Sequence, residues 1–146
     1  MIRLETHGSE EVLARFKGLS ARLRQELRKS MLKAVIDLQG HIKADKLSGQ
    51  VLHVRTNTLR SSIEQRVEET SDSVIGTDST NVVYARLHEY GGTVTRHARS
   101  SLKTRGTTRE HTAVYPERSF MRSALKDHRD RIRQDLQDAV ARTGNA

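Results

Sequence analysis

Ser61-Ser62-Ile63-Glu64-Gln65-Arg66-Val67-Glu68 alternates apolar and polar residues, Thr70-Ser71-Asp72-Ser73 interrupts the pattern, and Ser73-Val74-Ile75-Gly76-Thr77 resumes a β-prone run. Such stretches on both sides of a turn cluster predict a β-hairpin. Working outward, Val82-Val83-Tyr84-Ala85-Arg86-Leu87-His88-Glu89-Tyr90 reads as a short helix stopped by Gly91-Gly92. Thr93-Val94-Thr95 and Thr112-Ala113-Val114-Tyr115 read as two further strands, with a long polar, basic loop between them. Residues 48–115 therefore form a sheet-and-loop region.

Helical patterns flank that region. Ser9, followed by Glu10 and Glu11, has the makings of an N-cap with acids in the first turn. Apolar residues then recur at Val12, Phe16, Leu19, Leu23, Leu27, Met31, Ala34, Leu38 and Ile42, each step being one helical turn. This predicts a helical region over 9–46, bent near Gly18 or Gly40, because glycine weakens a helix. Pro116-Glu117-Arg118-Ser119 opens a second run through Phe120, Met121, Ala124, Leu125, Ile132, Leu136, Ala139 and Val140, a helix over 117–142. His128 occupies the stripe position between Leu125 and Ile132 and reads as a boundary or core residue. Asp130 with Gln134, and Arg131 with Asp135, have the one-turn spacing of a solvent face. The architecture that follows is α+β in one domain, 1–146. A small, mostly antiparallel sheet is packed by a long N-terminal helix and a C-terminal helix, with the short helix and basic loop in the middle.

Only 34% of the 146 residues are hydrophobic and 3% aromatic, against 30% charged. A core this lean suggests that neighbouring subunits supply part of the burial. The formal charge of +8 and pI near 10.3 favour acidic partners: nucleic acid, an acidic protein ring or anionic lipid. The chain has no cysteine, which excludes disulfides and thiolate metal sites and fits a reducing cytoplasm. No apolar run approaches the roughly 20 residues of a membrane span, and Met1-Ile2-Arg3-Leu4-Glu5-Thr6-His7 lacks the apolar core of a signal peptide.

Site chemistry is hard to find. His88-Glu89-Tyr90-Gly91-Gly92 fails as a zinc-protease motif because Gly92 stands where the second histidine belongs. There is no phosphate-cradling loop and no Gly-x-Ser-x-Gly elbow, and the seven histidines are scattered without metal-ligand spacing. Neither an enzyme nor a cofactor or metal site is expected. The strongest local feature is residues 96–109, where Arg96, His97, Arg99, Lys103, Arg105 and Arg109 meet no acid. Without interleaved aromatics, base stacking is unsupported. The segment reads first as a loop ordered by a protein partner, then as a DNA-backbone contact, and last as a plain solvated loop.

Three stretches carry a resemblance. Leu47-Ser48-Gly49-Gln50-Val51-Leu52-His53-Val54-Arg55-Thr56-Asn57-Thr58-Leu59-Arg60-Ser61-Ser62-Ile63 resembles a signature of the neck and tail-completion proteins of long-tailed bacteriophages. Val74-Ile75-Gly76-Thr77 with Val83-Tyr84-Ala85-Arg86-Leu87-His88-Glu89-Tyr90-Gly91-Gly92 looks like that family's second block. Tyr115-Pro116-Glu117-Arg118-Ser119-Phe120-Met121-Arg122-Ser123-Ala124-Leu125 is similar to its third. Asn57 replaces the usual glycine, Ser119 and Ser123 replace prolines, and the basic loop is long.

The resemblance implies a structural virion protein, made in the host cytoplasm, that acts in tail completion and head–tail joining. It implies no catalytic residues and no membrane. Its partners would be a tail terminator, connector or tail tube, with self-association, preferably six-fold, and DNA-backbone contact in the channel as a further possibility. Val54, Leu59 and Ile63 are expected to anchor the first turn, Tyr84, Leu87 and Tyr90 to pack the short helix, and Phe120 and Leu125 to dock the last one. Glu89 is expected to be a local cap or an inter-subunit partner for an arginine. Arg55, Arg60, Arg96, Arg99, Lys103, Arg105 and Arg109 are the candidate contacts to a partner protein or to DNA. The runner-up is a basic module that binds nucleic-acid backbone.

Overall fold

The structure, a computed structural model, describes residues 2–5, 21–101 and 106–144. Ser9, Val12, Phe16, Gly18 and Leu19 of the expected N-terminal helix therefore lie outside the described residues. From Ala21 the apolar stripe does form a helix, α1 (Ala21–His41), which buries Leu23, Met31, Ala34, Val35 and Leu38. Past Gly40 the winding loosens into a π-helical segment (Ile42–Gln50), so the expected break falls at that end. Gly49, with φ of 129°, turns the chain out of the helix. Val51 and Leu52 both donate their main-chain N–H to the Lys46 carbonyl, which closes the turn.

A one-turn helix, α2 (Thr58–Ser61), follows, entered through Asn57 in the left-handed conformation at φ 58°. Asparagine tolerates that conformation better than other non-glycine residues do. The expected hairpin is β2 (Glu64–Glu69) and β3 (Val74–Thr80), paired antiparallel with Val67 opposite Gly76. β1 (Ile2–Glu5) joins the other side of β3, giving the order β1-β3-β2. Gly76 is what lets α1 lie so close on this sheet. A Cβ there would stand 2.5 Å from Val35 and 2.7 Å from Met31.

The short helix is α3 (Ala85–Tyr90), and β4 (Gly92–Arg96) leaves it to pair with β7 (His111–Tyr115). Between these strands the expected long loop is itself paired, β5 (Arg99–Ser101) against β6 (Gly106–Thr108). Short threonine- and serine-rich strands carry little apolar alternation, which is why the sequence pattern missed them. The C-terminal helix α4 (Met121–Gly144) begins four residues later than expected, because Glu117 to Phe120 serve as its approach and not its first turn.

The α+β architecture is thus as expected. α1 covers the sheet and α4 lies along α1. The central core brings Leu38 and Ile42 together with Leu47, Leu52, Ile63, Ala85, Phe120, Met121 and Ala124. Each large side chain buried there contributes about 1.5–3 kcal/mol. Leu59 and Leu125 pack on its rim. Val54, in contrast, is exposed, because the chain turns outward after Leu52.

Polar groups seam the two long helices. Arg131 lies on the exposed face that its spacing suggested and donates across to Asp37 of α1 at 3.2 Å. His41 lies between Asp45 at 2.6 Å and Asp127 at 3.4 Å, while the buried Lys46 ammonium reaches Asp127 at 2.7 Å. The His128 ring lies 4.5 Å from that of His41, a half-buried boundary position. Further along, Asp78 of β3 shares a small cleft with Met31, Val35, Leu38, Leu125 and Ile132.

Candidate interaction surface

The surface is built from the end of α3, the ribbon that leaves it and the start of α4. Its root is Glu89, a fully buried carboxylate. One oxygen accepts the main-chain N–H groups of Phe120 and Met121 at 2.8 and 2.9 Å. The other accepts the N–H of Arg122 at 2.9 Å and the hydroxyl of Ser119 at 2.8 Å. A helix start leaves N–H donors without intrahelical partners and carries a partial positive charge, so a carboxylate placed there answers both needs. Glu89 is therefore a cap, as one of its two expected roles had it, but it caps a helix distant in sequence.

Arg122 completes the joint. Its Nε donates to Glu89 at 3.1 Å, and its Nη2 donates to the Glu89 carbonyl at 2.9 Å and to Glu117 at 2.7 Å. The guanidinium carbon lies 4.5 Å from the Tyr90 ring centroid, within cation–π range. Arg122 was not singled out by sequence, since nothing local distinguishes it from the other arginines of α4.

The chain leaves the joint at Gly91, where φ is 68° and a Cβ would stand 2.8 Å from the Glu117 nitrogen and 2.9 Å from the Tyr115 oxygen. Only glycine fits so close to that backbone. From here β4 and β7 run out as a two-stranded arm, extended by β5 and β6. Beyond its root at α3 the arm makes no extensive contact with any other described element. Val114 is 76% exposed on it.

Around the root, Tyr84, His88 and Tyr115 form an edge-to-face series with centroid distances of 5.9 and 6.4 Å. Burial, with Arg118 adding to it, holds the His88 imidazole below its usual pKa. Tyr84 and Tyr90 are 42% and 50% exposed, so the expectation that they pack α3 into the core is corrected. Ala85 and Glu89 are the residues that α3 buries, and the tyrosines face outward.

The candidate basic residues distribute as follows. Arg96 is exposed at the end of β4 and donates to the Tyr115 hydroxyl at 3.0 Å. Arg109 is exposed just before β7, where His97 pairs with Glu110 at 3.0 Å. Arg99 begins β5, while Lys103 and Arg105 lie outside the described residues. Arg55 and Arg60 are exposed on the turn and on α2, in a different part of the chain from the arm.

Comparison with protein-family models, curated proteins and solved structures gives no match. The surface must be read from its own geometry. Among the described residues no group of histidines and carboxylates is disposed to hold a metal ion, and no helix is long and apolar enough to cross a membrane. What the arrangement offers is a basic, partly apolar ribbon held at one end by a rigid polar joint.

Proposed function

We propose that this chain is a structural subunit of the neck or tail of a phage particle, acting in tail completion and head–tail joining through its basic arm. The observation that carries the reading is the arm itself. A two-stranded ribbon standing alone in water is marginally stable, and this one exposes Val114 and Arg109 and, among the described residues, makes no extensive contact with another layer of its chain. Such an element is suited to being completed by a neighbour.

The resemblance supplies the biological setting, and the packing is consistent with it. The first block contributes Leu47, Leu52 and Ile63 to the core, the second Ala85, and the third Phe120, Met121 and Ala124. Glu89 ties the second block directly to the third. Removing residues 99–106 and viewing particles by electron microscopy tests the reading. Separate heads and tails, each otherwise intact, are the expected result; normal infectious particles would overturn it.

A second reading has one specific observation behind it. The DNA major groove admits a two-stranded ribbon, and the arm is such a ribbon with exposed arginines. On that reading the isolated protein shifts DNA in a gel at low salt and loses it steeply as salt rises.

A further inference from the structure

We propose that the root of the arm binds single-stranded nucleic acid, with Tyr84 and Tyr115 as platforms for bases and Arg96 and Arg118 as phosphate partners. The inference does not rest on the head–tail reading. It also departs from the ribbon-in-groove alternative, both in the ligand and in the residues used.

The chain has three tyrosines and no tryptophan, and residues 96–109 hold neither of these nor a phenylalanine. The fold brings aromatic rings to the basic arm from elsewhere. Tyr84 precedes α3, Tyr115 ends β7, and His88 of α3 lies edge-to-face with both, at centroid distances of 5.9 and 6.4 Å. Tyr84 is 42% exposed, which opens its ring to a ligand. Burial, with the Arg118 charge adding to it, holds His88 below its usual pKa, so the middle ring is uncharged at neutral pH.

Two guanidinium groups flank these rings. Arg96 donates to the Tyr115 hydroxyl at 3.0 Å. Arg118 is fixed beside His88 through its main-chain N–H, which donates to the His88 carbonyl at 2.8 Å. Both side chains are exposed, and the acids of this region are already engaged. Glu89 is buried against the start of α4, Glu117 pairs with Arg122, and Glu110 pairs with His97. Arg109, exposed beyond the strand partner of Arg96, extends the positive track.

A plain anion has no use for the rings, and an apolar peptide has none for the guanidinium groups. A nucleic-acid strand uses both, since every base has a π-face and every link a phosphate. In a duplex those faces are stacked on one another, so the surface suits unpaired bases.

The test follows a fluorescein-labelled oligothymidylate by anisotropy with the full chain at low and rising salt, beside a duplex of equal length. The strand is expected to bind at least tenfold tighter than the duplex. Tyr84→Ala should weaken it about tenfold, the scale of one stacked base, whereas Tyr84→Phe keeps the ring and should bind like wild type. Arg96→Gln with Arg118→Gln should flatten the slope of log affinity against log salt by about 1.4, for two phosphate contacts. Tyrosine emission gives a second readout. In Tyr90→Phe only the two tyrosines of the site remain, and stacking should quench them. All these side chains are exposed, so the variants should fold.

No strand binding at low salt, a duplex bound as tightly, or an unchanged Tyr84→Ala would overturn the site. Equal displacement by polyglutamate would overturn it too and mark the surface as one for an acidic protein. None of these results touches head–tail joining, which the particle experiment decides with a deletion that spares all four residues.

Discussion

Glu89 and Met121 stand 32 residues apart in the chain, yet the buried carboxylate of one accepts the main-chain N–H of the other at 2.9 Å. Everything on the interaction surface hangs from this joint, because α3 ends there, α4 begins there and the arm departs two residues later. Glu89→Ala strips the start of α4 of its acceptor and leaves Phe120, Met121 and Arg122 donors unmet in a buried place. A loss of about 3 kcal/mol is expected, measured as a lower urea midpoint at unchanged slope. Glu89→Gln keeps the volume but turns an amide toward donors, and should recover only part of it.

Gly76 reports on a second dependence, the close approach of α1 to the sheet. Gly76→Ala sets a methyl against Val35 and Met31. Overpacking of this kind costs about 1–3 kcal/mol. Thermal melting should show it, and adding Met31→Ala to the same chain should relieve part of the clash.

Asp78 gives stability a pH dependence. Its side chain is 1% exposed with neither oxygen hydrogen-bonded among the described residues, and burial, opposed by Lys43, pushes its pKa up to about 7. The folded form therefore holds this proton more tightly than the unfolded chain does. The contribution is full below the ordinary carboxylate pKa, fades as pH rises toward 7, and is gone above it. Between about pH 5 and pH 8 the wild type should lose roughly 2–3 kcal/mol through this group. Asp78→Asn should lack that component, so paired urea titrations at the two pH values decide it.

Val114 separates folding from association. It is 76% exposed, so Val114→Ser should move the unfolding free energy by no more than about 0.5 kcal/mol. If the arm meets a neighbouring copy, the same substitution should weaken self-association in sedimentation.

Much of this fold was legible because its signals are local. The hairpin from Glu64 to Thr80, the strands at 92–96 and 111–115 and the described part of the N-terminal helix follow from periodicity and turn residues alone. Asn57, standing where the resembled signature has glycine, takes up the left-handed conformation that glycine usually supplies. What the sequence hid is long-range. Glu89 had no way to disclose that its donors lie in a helix thirty residues on, and His41 gave no hint of Asp127. Tyr84 and Tyr90 misled for a related reason. Aromatic residues in a short helix normally face the core, but here Ala85 and Glu89 take the inner positions and leave the rings at the surface.

Gly91 pins the outgoing strand of the arm against the returning one, since even a methyl group there would meet the Glu117 nitrogen and the Tyr115 oxygen. The β4–β7 pair reaches about 17 Å beyond this point. A side chain at that one position would wedge the two strands apart and re-aim the far end, so a single hydrogen in place of a carbon sets the direction in which the whole ribbon points.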